Sequence, residues 1–305
     1  MENNRNSAGL RGALYIVAGA LCFSTSGLTQ ALAVAEGATP LLVGGIRMLA
    51  GGLALFLWCA WRKKLPTRQG WPLRTVALSA LGIVGYQLCF FTGLIHSGVA
   101  VGTMVTMGFT PLVTAVLAWL FLHEKPVAAW YPATALACAG LVLMHWSGGV
   151  AASFTDGLFF PLCAGACYAV YLVACKPLMH KHAPETIMMV LFLLCGTALL
   201  PLLYFEPTAW LFSVQGVLIV LHLGLVTAAL GYCLTLAGLQ QTPAAIASTL
   251  GLAEPLCAAL LGFFCLGEVA TGYSILGMFF LFVSALLLII LPQWEIFKMK
   301  NYKFL

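Results

Sequence analysis

Residues Thr110–Glu124 read TPLVTAVLAWLFLHE, and residues Glu254–Glu268 read EPLCAALLGFFCLGE. In both stretches a proline opens an apolar helix with small residues spaced along it, and a glutamate thirteen residues after the proline closes it. The offset of 144 residues from Pro111 to Pro255 also relates Glu124 to Glu268, Pro40 to Pro184, Gly52 to Gly196, Ala54 to Ala198 and Leu55 to Leu199. A shift of one or two residues then brings Gly93-Leu94 onto Gly238-Leu239 and Gly85-Tyr86 onto Gly231-Tyr232. A repeat on this scale predicts two similar bundles, residues 1–150 and 151–305.

The medium of those bundles follows from composition. Of 305 residues, 62% are hydrophobic and 8% are Asp, Glu, Lys or Arg, with a mean hydropathy of +1.02. An ordinary soluble domain carries about 25% charged residues. So few ionisable side chains cannot cover a water-exposed surface, whereas lipid requires none. The fold class expected is an all-α membrane protein. The net charge of +5 sits on loops, as membrane orientation requires, and does not indicate a nucleic-acid partner. The eleven cysteines lie almost wholly inside apolar runs, with no C-x-x-C pair and no histidine cluster beside them. They read as small hydrophobes, not metal ligands or disulfides, and no cofactor is expected.

A hydrocarbon core of about 30 Å needs roughly 20 apolar residues per helix. Ten segments meet that length, near residues 12–33, 40–60, 75–95, 99–122, 127–147, 157–177, 185–205, 215–238, 244–266 and 271–291. The first of them is too long for the apolar core of a cleaved signal peptide and reads as a retained span. If the N-terminus is cytoplasmic, every lysine and arginine except Arg47 falls on inner loops or tails, and Glu36, Asp156, Glu206 and Glu268 fall outside. That asymmetry puts both termini in the cytoplasm. Five spans per half is an odd number, so the second half enters from the opposite side: ten transmembrane helices form two inverted five-helix repeats, as in many secondary transporters.

The segments GIRMLAGG in the second span, TPLVTAVLAWLFLHE in the fourth and EPLCAALLGFFCLGE in the ninth resemble the drug/metabolite transporter superfamily, and within it the ten-helix EamA-type exporters. The resemblance covers essentially the whole chain. It implies a carrier in a bacterial inner membrane that exports small metabolites, such as amino acids or related compounds, through a central cavity between the halves. Thr110 stands where the second copy has Glu254, so the two copies are not equivalent.

Arg47 and Glu254 are the ionisable residues farthest from either predicted membrane surface. At 1.5 Å per residue their depths differ by only about 5 Å. An isolated charge there costs roughly 3 kcal/mol or more. The repeat places Leu191 opposite Arg47 and Thr110 opposite Glu254, so the architecture itself does not demand these charges. Two readings stand: a substrate site in which Arg47 meets a carboxylate and Glu254 an amine or a proton, or a buried ion pair that only joins helices.

Further polar residues expected around a central cavity are Ser24, Thr25 and Ser26 in span one, Tyr86 and Gln87 in span three, Tyr168 and Tyr171 in span six, and His222 and Tyr232 in span eight. Tyr86 and Tyr232 are paired by the repeat. Pro111 and Pro255 each remove a backbone donor and are expected to kink spans four and nine. Glu124 and Glu268, at the ends of those spans, are expected to serve structure or gating. The partners expected are a small-molecule substrate, membrane lipid and, through Glu254, protons. Saturable alternating access is favoured over a passive channel. A membrane enzyme lacks the clustered acids or histidines it would need, and no G-x-x-x-x-G-K loop for nucleotide is present.

Overall fold

The computed structural model describes residues 2–66, 70–145, 157–267, 269 and 271–290, and among them the regular structure is helical throughout. Among the described residues, nine helices are long and apolar enough to cross a membrane. In chain order with one shorter helix they are span one, Gly9–Ala35; two, Pro40–Trp61; three, Leu73–Ser97; four, Val99–Leu122; five, the shorter Trp130–Met144; six, Phe159–His180; seven, Pro184–Phe205; eight, Val214–Leu239; nine, Ala244–Phe264; and ten, Gly272–Ile290. Ten such helices are therefore present among the described residues, each within a few residues of the hydropathy segments. The fifth is shorter than its segment at 127–147, part of which, with Asp156 and Glu268, lies outside the described residues.

The ends carry the repeat. Pro40 and Pro184 both occupy the first turn of their helices, after an extended residue, where the missing donor costs nothing. Spans four and nine both close on a left-handed residue, His123 at φ 55° and Gly267 at φ 68°, one residue before their glutamates.

Packing is reciprocal between the halves. The most extensive contacts pair spans three with six, five with ten, two with seven, four with six and one with eight. Adding five to each ordinal, cyclically, returns a pairing in the same contact map, since one also packs on nine and four on nine. The reciprocity reaches single residues. A Cβ on Gly52 would meet the Leu193 nitrogen at 2.9 Å, and one on its counterpart Gly196 would meet the Leu49 Cα at 2.7 Å. In spans five and ten, Gly140 lies against the Gly277 carbonyl, and Ser284 donates to the Ala133 carbonyl at 2.7 Å. Each partner is 144 positions from its opposite number, as across a twofold axis.

Span six ends in a 3-10 turn, Lys176–His180, and span seven is interrupted near its end at Leu200–Pro201; three other spans are irregular in their interiors. Span one is interrupted at Thr25, between helices Glu2–Ser24 and Ser26–Ala35. Span eight passes through a nine-residue π-helix, Leu223–Gly231. Span nine breaks at Gly251–Leu252, between Ala244–Leu250 and Ala253–Leu266. The kink expected at Pro255 is thus a break just before Glu254, whereas helix Val99–Leu122 runs on through Pro111. There the hydroxyls of Thr110 and Thr114 donate to the carbonyls one turn back, at 2.7 and 2.8 Å.

Candidate functional site

Spans one, two, three, six, eight and nine bring the polar mid-membrane residues together. Arg47 is 7% exposed, and its Nη2 donates to Gln87 Oε1 at 3.0 Å. Gln87 is fully buried, and its Nε2 donates to the Gly44 carbonyl at 2.9 Å. One amide side chain thereby joins span three to two points on span two. The Arg47 Nε is buried with no hydrogen-bond partner, while Nη1 is neither bonded nor sealed. Gly44 is required for this approach: a Cβ there would overlap Phe91 and stand 3.3 Å from Gln87 Nε2.

Glu254 lies in the first turn of the second half of span nine. A carboxylate is favoured there by the free N–H groups and dipole of a helix start. Its carboxylate accepts no hydrogen bond from any described residue, and the residue keeps some accessible surface. Arg47 lies within electrostatic reach of Glu254 and of the Tyr86 and Tyr232 hydroxyls, but no ion pair joins Arg47 to Glu254. The two charges that sequence depth set side by side are neighbours without contact.

Aromatic rings complete the wall. Tyr86 stacks on Phe90 at 5.3 Å and packs on Tyr168 at 5.1 Å; Tyr168 packs on Tyr171, Tyr171 on Tyr232, and Tyr232 on Phe23 and Phe192. Tyr86, Tyr168 and Glu254 are half-buried. Tyr171 and Tyr232 are buried, and the Tyr171 hydroxyl is spent on the Met188 sulfur at 3.5 Å. His222, the last residue before the π-helix, shares a hydrogen bond of 2.9 Å with Thr25, at the break in span one. The two irregular points of spans one and eight therefore brace each other. Ser24 is turned to its own helix, donating to the Leu21 carbonyl.

Glu124 is placed away from this centre. It pairs with Lys176 at the end of helix Phe159–Cys175 and accepts from the Ala244 nitrogen at 2.9 Å, while Lys176 also donates to the Thr242 carbonyl at 3.0 Å. The ends of spans four and six and the turn between eight and nine are thus tied together. Glu268 lies outside the described residues. Sequence reasoning did not single out Lys176, Phe23 or Phe90. Only the i, i+4 spacing of Phe90 from Tyr86 on one helix face could have signalled any of them.

A ten-helix membrane protein with paired halves and a charged, aromatic-walled centre belongs among the transporters. The chain is a member of the EamA-like transporter family, which matches it twice, over residues 10–146 and 155–290. It is 35% identical to the uncharacterized transporter YwfM of Bacillus subtilis over 92% of this chain and 94% of that one. It is 30% identical to the threonine/homoserine exporter RhtA of Salmonella typhimurium over 85% and 86% of the two chains, and 31% identical to protein PecM of Dickeya dadantii over 82% of each. A solved crystal structure, 19% identical, superposes with a TM-score of 0.79 over 93% of this chain and 98% of the other, which establishes the shared fold. The superfamily expected from the three motifs is therefore correct, and the protein is a multi-pass membrane transporter.

Proposed function

We propose that the protein is a secondary carrier that exports small zwitterionic metabolites, amino acids or their close relatives, by alternating access. The observation that carries this reading is the separated pair of unsatisfied charges at mid-membrane. Arg47 has one buried nitrogen without an acceptor, and Glu254 has an open carboxylate within its electrostatic reach. An α-carboxylate on Arg47 and an α-amine toward Glu254 would satisfy both at once, and the rings of Tyr86 and Tyr168 would take an apolar side chain. The name of the RhtA relative, an exporter of threonine and homoserine, supports the same chemical class. In this reading residues 1–150 and 151–305 are inverted halves, both termini are cytoplasmic, and Glu254 exchanges its proton when no amine is bound. The reciprocal contacts and the confinement of Lys and Arg to one set of loops support that topology.

The test is counterflow of radiolabelled L-threonine and L-phenylalanine by purified protein in lipid vesicles. Saturable counterflow is expected, which a channel would not give. Arg47→Gln should raise KM about tenfold or more, the effect of losing one charge-assisted hydrogen bond. Glu254→Gln should abolish pH-driven uptake. Unchanged affinity in the Arg47 variant removes the carboxylate site.

A further inference from the structure

Arg47 finds its partner in a neutral amide, although a carboxylate lies within electrostatic reach. In a protein interior of low dielectric an arginine and a glutamate attract strongly, and an arginine side chain free to turn would move toward such a counter-ion. Gln87 is what holds it. The amide oxygen takes Nη2, the amide nitrogen is fixed to the Gly44 carbonyl one turn before Arg47, and Phe91 fills the space beside Gly44. The second half has no equivalent clamp: the repeat puts Leu191 opposite Arg47 and, in the register that pairs Tyr86 with Tyr232, Cys233 opposite Gln87. The clamp is thus a property of this site and not of the fold.

We propose that Gln87 is a positioning residue that keeps Arg47 from closing on Glu254 in the empty carrier, so that both charges stay available to substrate. It does not itself touch substrate, since it is fully buried. A neutral acceptor suits the task. It orients the guanidinium and leaves its positive charge uncancelled, which a carboxylate at position 87 would not do. The inference rests on the reading of Arg47 and Glu254 as the substrate-facing pair, and its test is kept separable from that reading.

The probe is dicyclohexylcarbodiimide, an apolar reagent that adds to protonated membrane carboxyls, with the adduct on the Glu254 peptide read by mass spectrometry. Wild type is expected to label, and Glu254→Gln fixes the background. Gln87→Met keeps the shape and removes the acceptor. Arg47 then closes on Glu254, holds it ionised, and labelling falls severalfold. Gln87→Glu restores a partner for Arg47, so labelling returns to the wild-type level while KM for threonine or phenylalanine counterflow rises as in Arg47→Gln. A purely structural glutamine would not give this split between restored labelling and lost affinity. Wild-type labelling in Gln87→Met overturns the positioning role. Should Gln87→Met fail to fold, Gln87→Glu decides alone, since protected Glu254 in that variant overturns the proposal equally. If Arg47→Gln leaves counterflow unchanged while Gln87→Met protects Glu254, the clamp stands and the substrate reading falls.

Discussion

At the scale of single residues, the repeat shows which side chains are architecture and which are additions. His123 and Gly267 occupy the same left-handed closure, but only one of them is glycine. An L side chain in that region costs roughly 1–2 kcal/mol, less for residues such as histidine that tolerate it. His123→Gly is therefore expected to stabilise the detergent-solubilised protein by up to about 1 kcal/mol, seen as a raised midpoint of thermal unfolding. An unchanged or lowered midpoint would mean that the imidazole makes a compensating contact. The same comparison exposes Arg47 and Glu254, whose counterparts Leu191 and Thr110 carry no charge. These two positions were legible from sequence because depth and asymmetry are properties of the linear chain. The clamp on Arg47 was not. It depends on the rotational register of two helices forty residues apart, and Gln87 in sequence is one polar residue among several in spans three, six and eight.

At the scale of elements, the helices were legible almost throughout because lipid demands unbroken apolar length. The exceptions are the interruptions. Proline predicted a kink in both span four and span nine, yet only span nine breaks, and it does so at Gly251–Leu252. In span four the threonines at 106, 110 and 114 bond neighbouring carbonyls, and the helix continues. The π-helix of span eight did leave a trace in the sequence. The repeat register slips from 144 residues at Gly52 and Gly196 to 146 at Tyr86 and Tyr232, and Leu223–Gly231, whose wider turns take up extra residues, ends immediately before Tyr232. Spans two and seven give the cleanest test of the paired architecture. Gly52→Val and Gly196→Val each drive a side chain into the partner's backbone. Both should destabilise by about 1–3 kcal/mol, and to a similar extent, because the contacts are reciprocal. Thermal unfolding of the two variants side by side checks this, and a large disparity would contradict the twofold relation.

For the whole molecule, the tie at one end of the bundle is the counterpart to the charged centre. Glu124 holds Lys176 from span six and the start of span nine through Ala244, so three elements separate only if its bonds break. The pair is partly exposed, with side chains 15% and 26% accessible, so its net contribution is modest. Glu124→Gln or Lys176→Met should each cost about 1 kcal/mol of thermal stability. A double-mutant cycle should return a coupling of similar size, and a coupling of zero would show that the two residues act separately. The interruptions are distributed just as unevenly. Spans one, eight and nine contain the three interior ones, while their counterparts six, three and four are helical across the matching positions. One triad is therefore interrupted where its twin is continuous. In the alternating cycle proposed above, exchanging the roles of two unlike halves does not give back the same molecule, so the inward-facing and outward-facing forms differ in free energy and the empty carrier favours one side of the membrane.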